Sequence, residues 1–92
     1  GVEIPKEFKL SQNYPNPFNP STLIEYSVAK PEHITIKVYN VLGKEVATLV
    51  DEMKEPGVYS VRFDASNLSS GIYFYKLQSE SYNAVKKMIL QK

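Results

Sequence analysis

Apolar and polar residues alternate with a period of two along most of this chain, in short runs separated by Gly, Pro, Asn and Ser. That period turns successive side chains to opposite faces, so each run predicts a half-buried β-strand. Thr22 to Val28 places Ile24, Tyr26 and Val28 on one face and Thr22, Glu25 and Ser27 chiefly in solvent, and Pro31 closes it. His33 to Asn40 sets Ile34, Ile36 and Val38 against His33, Thr35, Lys37 and Tyr39. Asn40 to Lys44 reads as a tight connection with Gly43 at positive φ, and Glu45 to Val50 as the return strand of a hairpin. Asp51 to Gly57 is predicted to be a polar loop. Val58 to Asp64 then puts Tyr59, Val61 and Phe63 opposite Ser60 and Arg62. Gly71 to Gln78 starts apolar on both faces, as a central strand does, and Tyr82 to Leu90 sets Ala84, Met88 and Leu90 against Val85 and Ile89.

With Phe8 to Gln12 as a short first strand, the total is about seven, the number and spacing of an immunoglobulin-like antiparallel β-sandwich. No segment sustains a helical period, so the expected class is all-β. Two local patterns sharpen it. Asn13 to Thr22, "NYPNPFNPST", sets asparagines directly beside prolines. Proline fixes its own φ and pushes its predecessor out of the helical region, while asparagine bonds nearby backbone, so this is a stiff, extended loop. Leu68 to Tyr73, "LSSGIY", resembles the tyrosine corner of Greek-key sandwiches. There Leu68 plugs the sandwich end, Gly71 permits a close turn, and Tyr73 bonds back to backbone upstream.

A chain of 92 residues allows one domain with a single two-layer core and no room for a large cleft. Its formal charge of +1 is spread out apart from Lys86-Lys87 and Lys92, which is no nucleic-acid footprint. No apolar run has the length of a membrane span and no signal peptide is visible. Gly1 to Pro5 lacks an initiator Met, which suggests a fragment of a longer chain. Cysteine is absent, which removes disulfides, thiolate zinc sites and a cysteine nucleophile.

Catalytic chemistry has little to stand on. His33 lies on the polar face of its strand and reads as a solvated side chain. Ser66, Ser69, Ser70, Ser79 and Ser81 have no second histidine and no nucleophile elbow to activate them. No phosphate-binding glycine motif or HExxH is present, so neither an enzyme nor a cofactor is expected. Asp51, Glu52 and Glu55 cluster, but without the alternating Asp/Asn ladder of a calcium loop they read as solvated carboxylates. Tyr39, Tyr59, Tyr75 and Tyr82 cannot all be core. They either pack across strands and against an upstream domain, which carries more weight, or form an aromatic platform for glycans.

Four segments stand in a fixed order along the chain: "LSQNYPNPFNPSTLIEYSV" (Leu10 to Val28), "ITIKVYNVLGKEVATLV" (Ile34 to Val50), "GVYSVRFDASNLSSGIYFYKL" (Gly57 to Leu77) and "KKMILQK" (Lys86 to Lys92). In that order and spacing the chain resembles, from about Leu10 to Lys92, the C-terminal sorting domain of proteins exported by the type IX secretion system of Bacteroidetes and related Gram-negative bacteria. The resemblance implies a sandwich at the end of a larger secreted or outer-membrane surface protein. The partners implied are the upstream cargo, a translocon that reads the domain after passage through the periplasm, and a sortase that cuts upstream of it. Pro15, Asn16 and Pro17 fall on the first motif, Gly71 and Tyr73 on the second, and Lys87, Met88, Ile89, Leu90 and Lys92 on the terminal one. Residues 1–9 are then a linker, residues 10–92 the sorting domain, and the cut falls before Leu10, followed by release or attachment to lipopolysaccharide.

The terminal strand, if it lies at a sheet edge, offers unpaired backbone for β-augmentation, with Lys86, Lys87 and Lys92 restraining indiscriminate pairing. Two other functions fit the same composition: a carbohydrate- or surface-binding module of a secreted enzyme, and a structural spacer.

Overall fold

The alternation seen in the sequence is realised as seven strands in the computed structural model, which describes residues 4–92. They are β1 (Lys9–Leu10), β2 (Ser21–Val28), β3 (Glu32–Tyr39), β4 (Glu45–Lys54), β5 (Gly57–Asp64), β6 (Gly71–Gln78) and β7 (Asn83–Leu90). All pairings between them are antiparallel, in a three-stranded sheet ordered β1-β2-β5 and a four-stranded sheet ordered β4-β3-β6-β7. No helix occurs among the described residues. The result is an all-β sandwich of the immunoglobulin-like kind.

Strand parity decides the core. Ile24, Tyr26 and Val28 of β2 are buried with Ile34, Ile36 and Val38 of β3, Tyr75 and Leu77 of β6, and Met88 and Leu90 of β7. Each such aliphatic side chain contributes about 1.5–3 kcal/mol on leaving water, so this inner layer dominates the stability. The predicted central strand β6 is internal to its sheet, between β3 and β7. Gly43 has φ +83°, and its amide donates to the Asn40 carbonyl at 2.9 Å while the Asn40 side chain accepts from Leu42 and Lys44. That is the tight hairpin connection expected between β3 and β4.

Three expectations need correction. Thr22 was expected in solvent but is 2% exposed, because it shares the parity of Ile24 and its hydroxyl finds partners inside. It donates to the Pro15 carbonyl at 2.8 Å and accepts from Asn13 Nδ2 at 3.0 Å. Asp51 to Lys54 is not loop but the continuation of β4, with Glu32 to Thr35 as partners. Backbone pairing tolerates a polar run at a sheet edge, and only Glu55 and Pro56 remain to carry the chain from one sheet to the other. The first strand is shorter than Phe8 to Gln12, since regular pairing with β2 covers only Lys9 and Leu10; after the Ser11 amide the chain next bonds β2 at Tyr14↔Leu23.

Candidate functional site

Strand β7 lies at the edge of the four-stranded sheet, and its pleat points alternate backbone groups toward β6 and away from it. The outward groups from the Lys87 carbonyl onward are not free. Gln12 Nε2 donates to the Lys87 carbonyl at 2.7 Å, and the Ile89 amide donates to Asn16 Oδ1 at 2.9 Å. Phe18 donates its amide to the Ile89 carbonyl at 2.9 Å, and Gln91 donates to the Phe18 carbonyl at 2.9 Å, so Phe18 and Leu90 form a parallel bridge. The expectation of an open terminal edge is thereby corrected: the Asn-Pro loop seals it. Toward the start of β7 the edge stays open: among the described residues, the outward groups of Asn83 and Val85 and the Lys87 amide form no such bond.

The same loop also bonds to β2 of the other sheet. Ser11 donates to the Glu25 carbonyl at 2.9 Å, and Tyr14 and Leu23 exchange two bonds of 3.0 and 2.9 Å. It is thus a strap across the open side of the sandwich. Prolines suit this position because they leave no amide unpaired at an edge. The peptide bonds preceding Pro15, Pro17 and Pro20 are cis.

Buried side chains hold the strap from beneath. Asn13, 2% exposed, donates to the Pro15 carbonyl at 3.1 Å and to Thr22, and accepts from Gln12 Nε2 at 2.7 Å. Tyr75 donates its hydroxyl to the Ser11 carbonyl at 2.6 Å, and burial pushes this phenol up to about 12. Phe18 inserts between the sheets with its ring 6.1 Å from that of Phe63. Of these, Gln12, Asn13, Phe18 and Thr22 were not named as site residues from sequence, and Tyr75 was weighed only within an aromatic platform. Asn-Pro spacing signals a loop, but nothing in it names the strand that the loop covers.

The second motif meets the third on the other side of β7. Gly71 pairs with Leu90 and Tyr73 with Met88. Gly71 has φ +156°, a value that side-chain-bearing residues rarely adopt, as the close turn requires. Tyr73 donates to the Ser69 carbonyl at 2.7 Å, completing the expected tyrosine corner, and Leu68 packs partly buried against the core. Lys92 ties down the same loop: its amide donates to Ser70 Oγ at 3.0 Å and its ammonium to the Ser66 carbonyl at 2.7 Å. The backbone amide of Ser66 holds the Asp64 carboxyl below its usual range. Asn16, Gly71, Tyr73, Met88, Ile89, Leu90 and Lys92 therefore converge on one strand end, while Pro15, Pro17 and Lys87 lie exposed around it. Met88 and Leu90 face the core at 0% and 1% exposure, so only their neighbours present chemistry outward.

Reactive groupings are sparse elsewhere. His33 Nε2 lies 2.6 Å from Asp51 Oδ1 as a surface pair on the outer face of the four-stranded sheet. Glu52 contacts Lys54 at 2.8 Å, and no group of three or more potential metal-ligating side chains occurs among the described residues. Glu32, buried beside the β6–β7 turn, accepts from the Ser81 hydroxyl at 2.7 Å and amide at 3.2 Å, which lowers its carboxyl. Shallow hollows of about 270–380 Å³ mark the outer face of the three-stranded sheet near Val58, Leu23 and Tyr14. Of the four tyrosines weighed as a glycan platform, Tyr75 is core and none of the others is fully exposed. Tyr59 stacks on Tyr26 at 5.5 Å and Tyr82 on Phe8 at 5.7 Å, so their rings are engaged in packing.

No curated protein and no solved structure matches the chain. Residues 12–91, which contain the strap, the tyrosine corner and β7, match the family model of the secretion system C-terminal sorting domain. With the match extending over nearly the whole sandwich, the chain belongs to that family of type IX secretion sorting domains.

Proposed function

We propose that the domain is read in its folded state by the type IX translocon, and that a sortase then separates it from its cargo. The observation that supports this reading is the meeting of the three motifs at one end of β7. Residues distant in sequence acquire a common surface only when the sandwich is folded, so the signal is a shape rather than a linear tag. Family membership makes the domain a sorting signal of an exported protein, and an enzymatic role is not a property of that family.

The sortase cut is placed N-terminal to Phe8. Phe8 stacks on Tyr82 and Lys9 pairs with Ser27, so cleavage further along would need strand β1 to come away. The sorting unit then begins at Phe8, slightly upstream of residues 10–92, with the linker reduced to residues 1–7. After the cut, the cargo is released or joined to surface lipopolysaccharide.

The test is a fluorescent reporter fused upstream of Gly1 to Lys92, expressed with and without the translocon. Translocon-dependent appearance outside the cell, with the N-terminus of the released domain mapping before Phe8, is the expected result. Retention of a folded fusion in the periplasm of both strains would contradict it.

A further inference from the structure

The outer faces of the two sheets differ in charge. On the three-stranded sheet, Lys9 and Arg62 are offset by Glu25 and Asp64 among small and apolar neighbours. On the four-stranded sheet, register builds adjoining cross-strand rows: Lys37, Lys76 and Val85; then Tyr39, Phe74 and Lys87; then Ile72 and Ile89. Lys37 lies 3.3 Å from Glu45, the carboxylate paired with Tyr39 in the same rows. Lys76 and Lys87 form no ion pair among the described residues. Beside these cations, Val85 in the first row is 56% exposed and Phe74 in the second is half-buried, and in the third row, beyond Lys87, Ile72 is 41% exposed and Ile89 half-buried. An apolar patch bordered by unpaired ammonium groups is the layout of a protein interface, in which apolar contacts supply affinity and neighbouring charges supply steering and specificity.

We propose that this outer face of β3, β6 and β7 docks an acidic protein surface of the export machinery, with Lys76 and Lys87 pairing its carboxylates and Ile72, Phe74 and Ile89 covering an apolar centre. The proposal rests on the sorting-signal reading and names the face by which the signal is read. Charge complementarity selects the partner. An anionic membrane calls for clusters of about four to eight basic residues, and nucleic acid for a broader basic face. This chain, at a net charge of +1, offers three lysines interleaved with specific apolar side chains. A flat sheet face with that spacing matches a protein surface carrying carboxylates and aliphatic groups.

The test compares export of the reporter fusion carrying the wild-type domain, K76E/K87E, K76R/K87R, and the control K9E/R62E on the opposite face, with folding of each domain checked by thermal denaturation. The expected result is a drop of about tenfold for folded K76E/K87E, restored in K76R/K87R, with the control within about twofold of wild type. Wild-type export with K76E/K87E exported equally would overturn the proposal and leave the sorting reading standing. Equal losses in K76E/K87E and K9E/R62E would overturn it too, since net charge rather than this face would then matter. Retention of the wild-type fusion itself would overturn the sorting reading and the proposal with it. Unchanged export of K76E/K87E, with loss of wild-type binding to phosphatidylglycerol vesicles in that variant, would reassign the face to anionic lipid.

Discussion

The two open sides of the sandwich are closed by different means. On one side, β4 and β5 meet through the short Glu55-Pro56 crossing, and everything that seals it is near in sequence: Tyr59 donates to the Glu55 carbonyl at 2.6 Å and Lys54 lies 4.8 Å over the Tyr59 ring. Register shifts between Ile36/Lys37 and Val38/Tyr39 disturb the ladder there, a common way to blunt an edge. On the other side, β7 is covered by a strap more than 70 residues away in sequence, through Gln12, Asn16 and Phe18. The residues that the sequence resemblance assigns to the sorting motifs lie on the second side. On the reading proposed above, residues that close a long-range contact also mark the domain as a signal, which ties being read to being folded.

The contrast can be broken most severely at Phe18. Replacing Phe18 with Ala empties a buried ring site against Phe63 and costs about 3–5 kcal/mol in denaturant unfolding. Tyr75→Phe keeps the ring and deletes the hydroxyl that holds Ser11, costing about 1–3 kcal/mol by leaving a carbonyl unpaired.

That variant also changes the alkaline limb. Burial raises Tyr75 from 10.0 to about 12, so its contribution is complete below pH 10 and is lost as pH rises toward 12, when the unfolded phenol ionises first. Tyr75→Phe should therefore show a shallower loss of stability over that window in pH-dependent thermal melts.

Smaller effects separate the two sides further. Asn16→Ala removes the acceptor of the Ile89 amide and costs about 0.5–1.5 kcal/mol, with faster exchange at Ile89. Lys54→Ala on the opposite side removes a surface ion pair and a cation–π contact and costs less than about 1 kcal/mol. A cost of about 1.5 kcal/mol or more for Lys54→Ala would contradict the difference drawn between the sides.

Strand positions and core faces were legible because period-two alternation is local, and Ile34, Ile36 and Val38 fall inside as their spacing demands. The tyrosine corner was legible for the same reason, as Tyr73 reaches a carbonyl four residues upstream. Thr22 was misread because its type signals solvent while its parity signals the core, and a partner for its hydroxyl inside let parity prevail. Asp51 to Lys54 was misread because polar composition masks backbone pairing at an edge. The strap over β7 had no local signature: the loop is visible in the sequence, but its target is chosen by the closure of two sheets.

Amide hydrogen exchange along β7 in the isolated domain tests the central claim most directly. Alternate amides pair with β6 whatever the strap does, so Met88 and Leu90 serve as internal references, and Val85 and Lys87 report an unpaired outward edge. A sealed edge predicts slow exchange at Ile89 and Gln91, close to Met88 and Leu90, with Val85 and Lys87 fast. Exchange at Ile89 and Gln91 as fast as at Val85 would mean that the Asn-Pro loop does not hold the terminal strand, and would contradict the account.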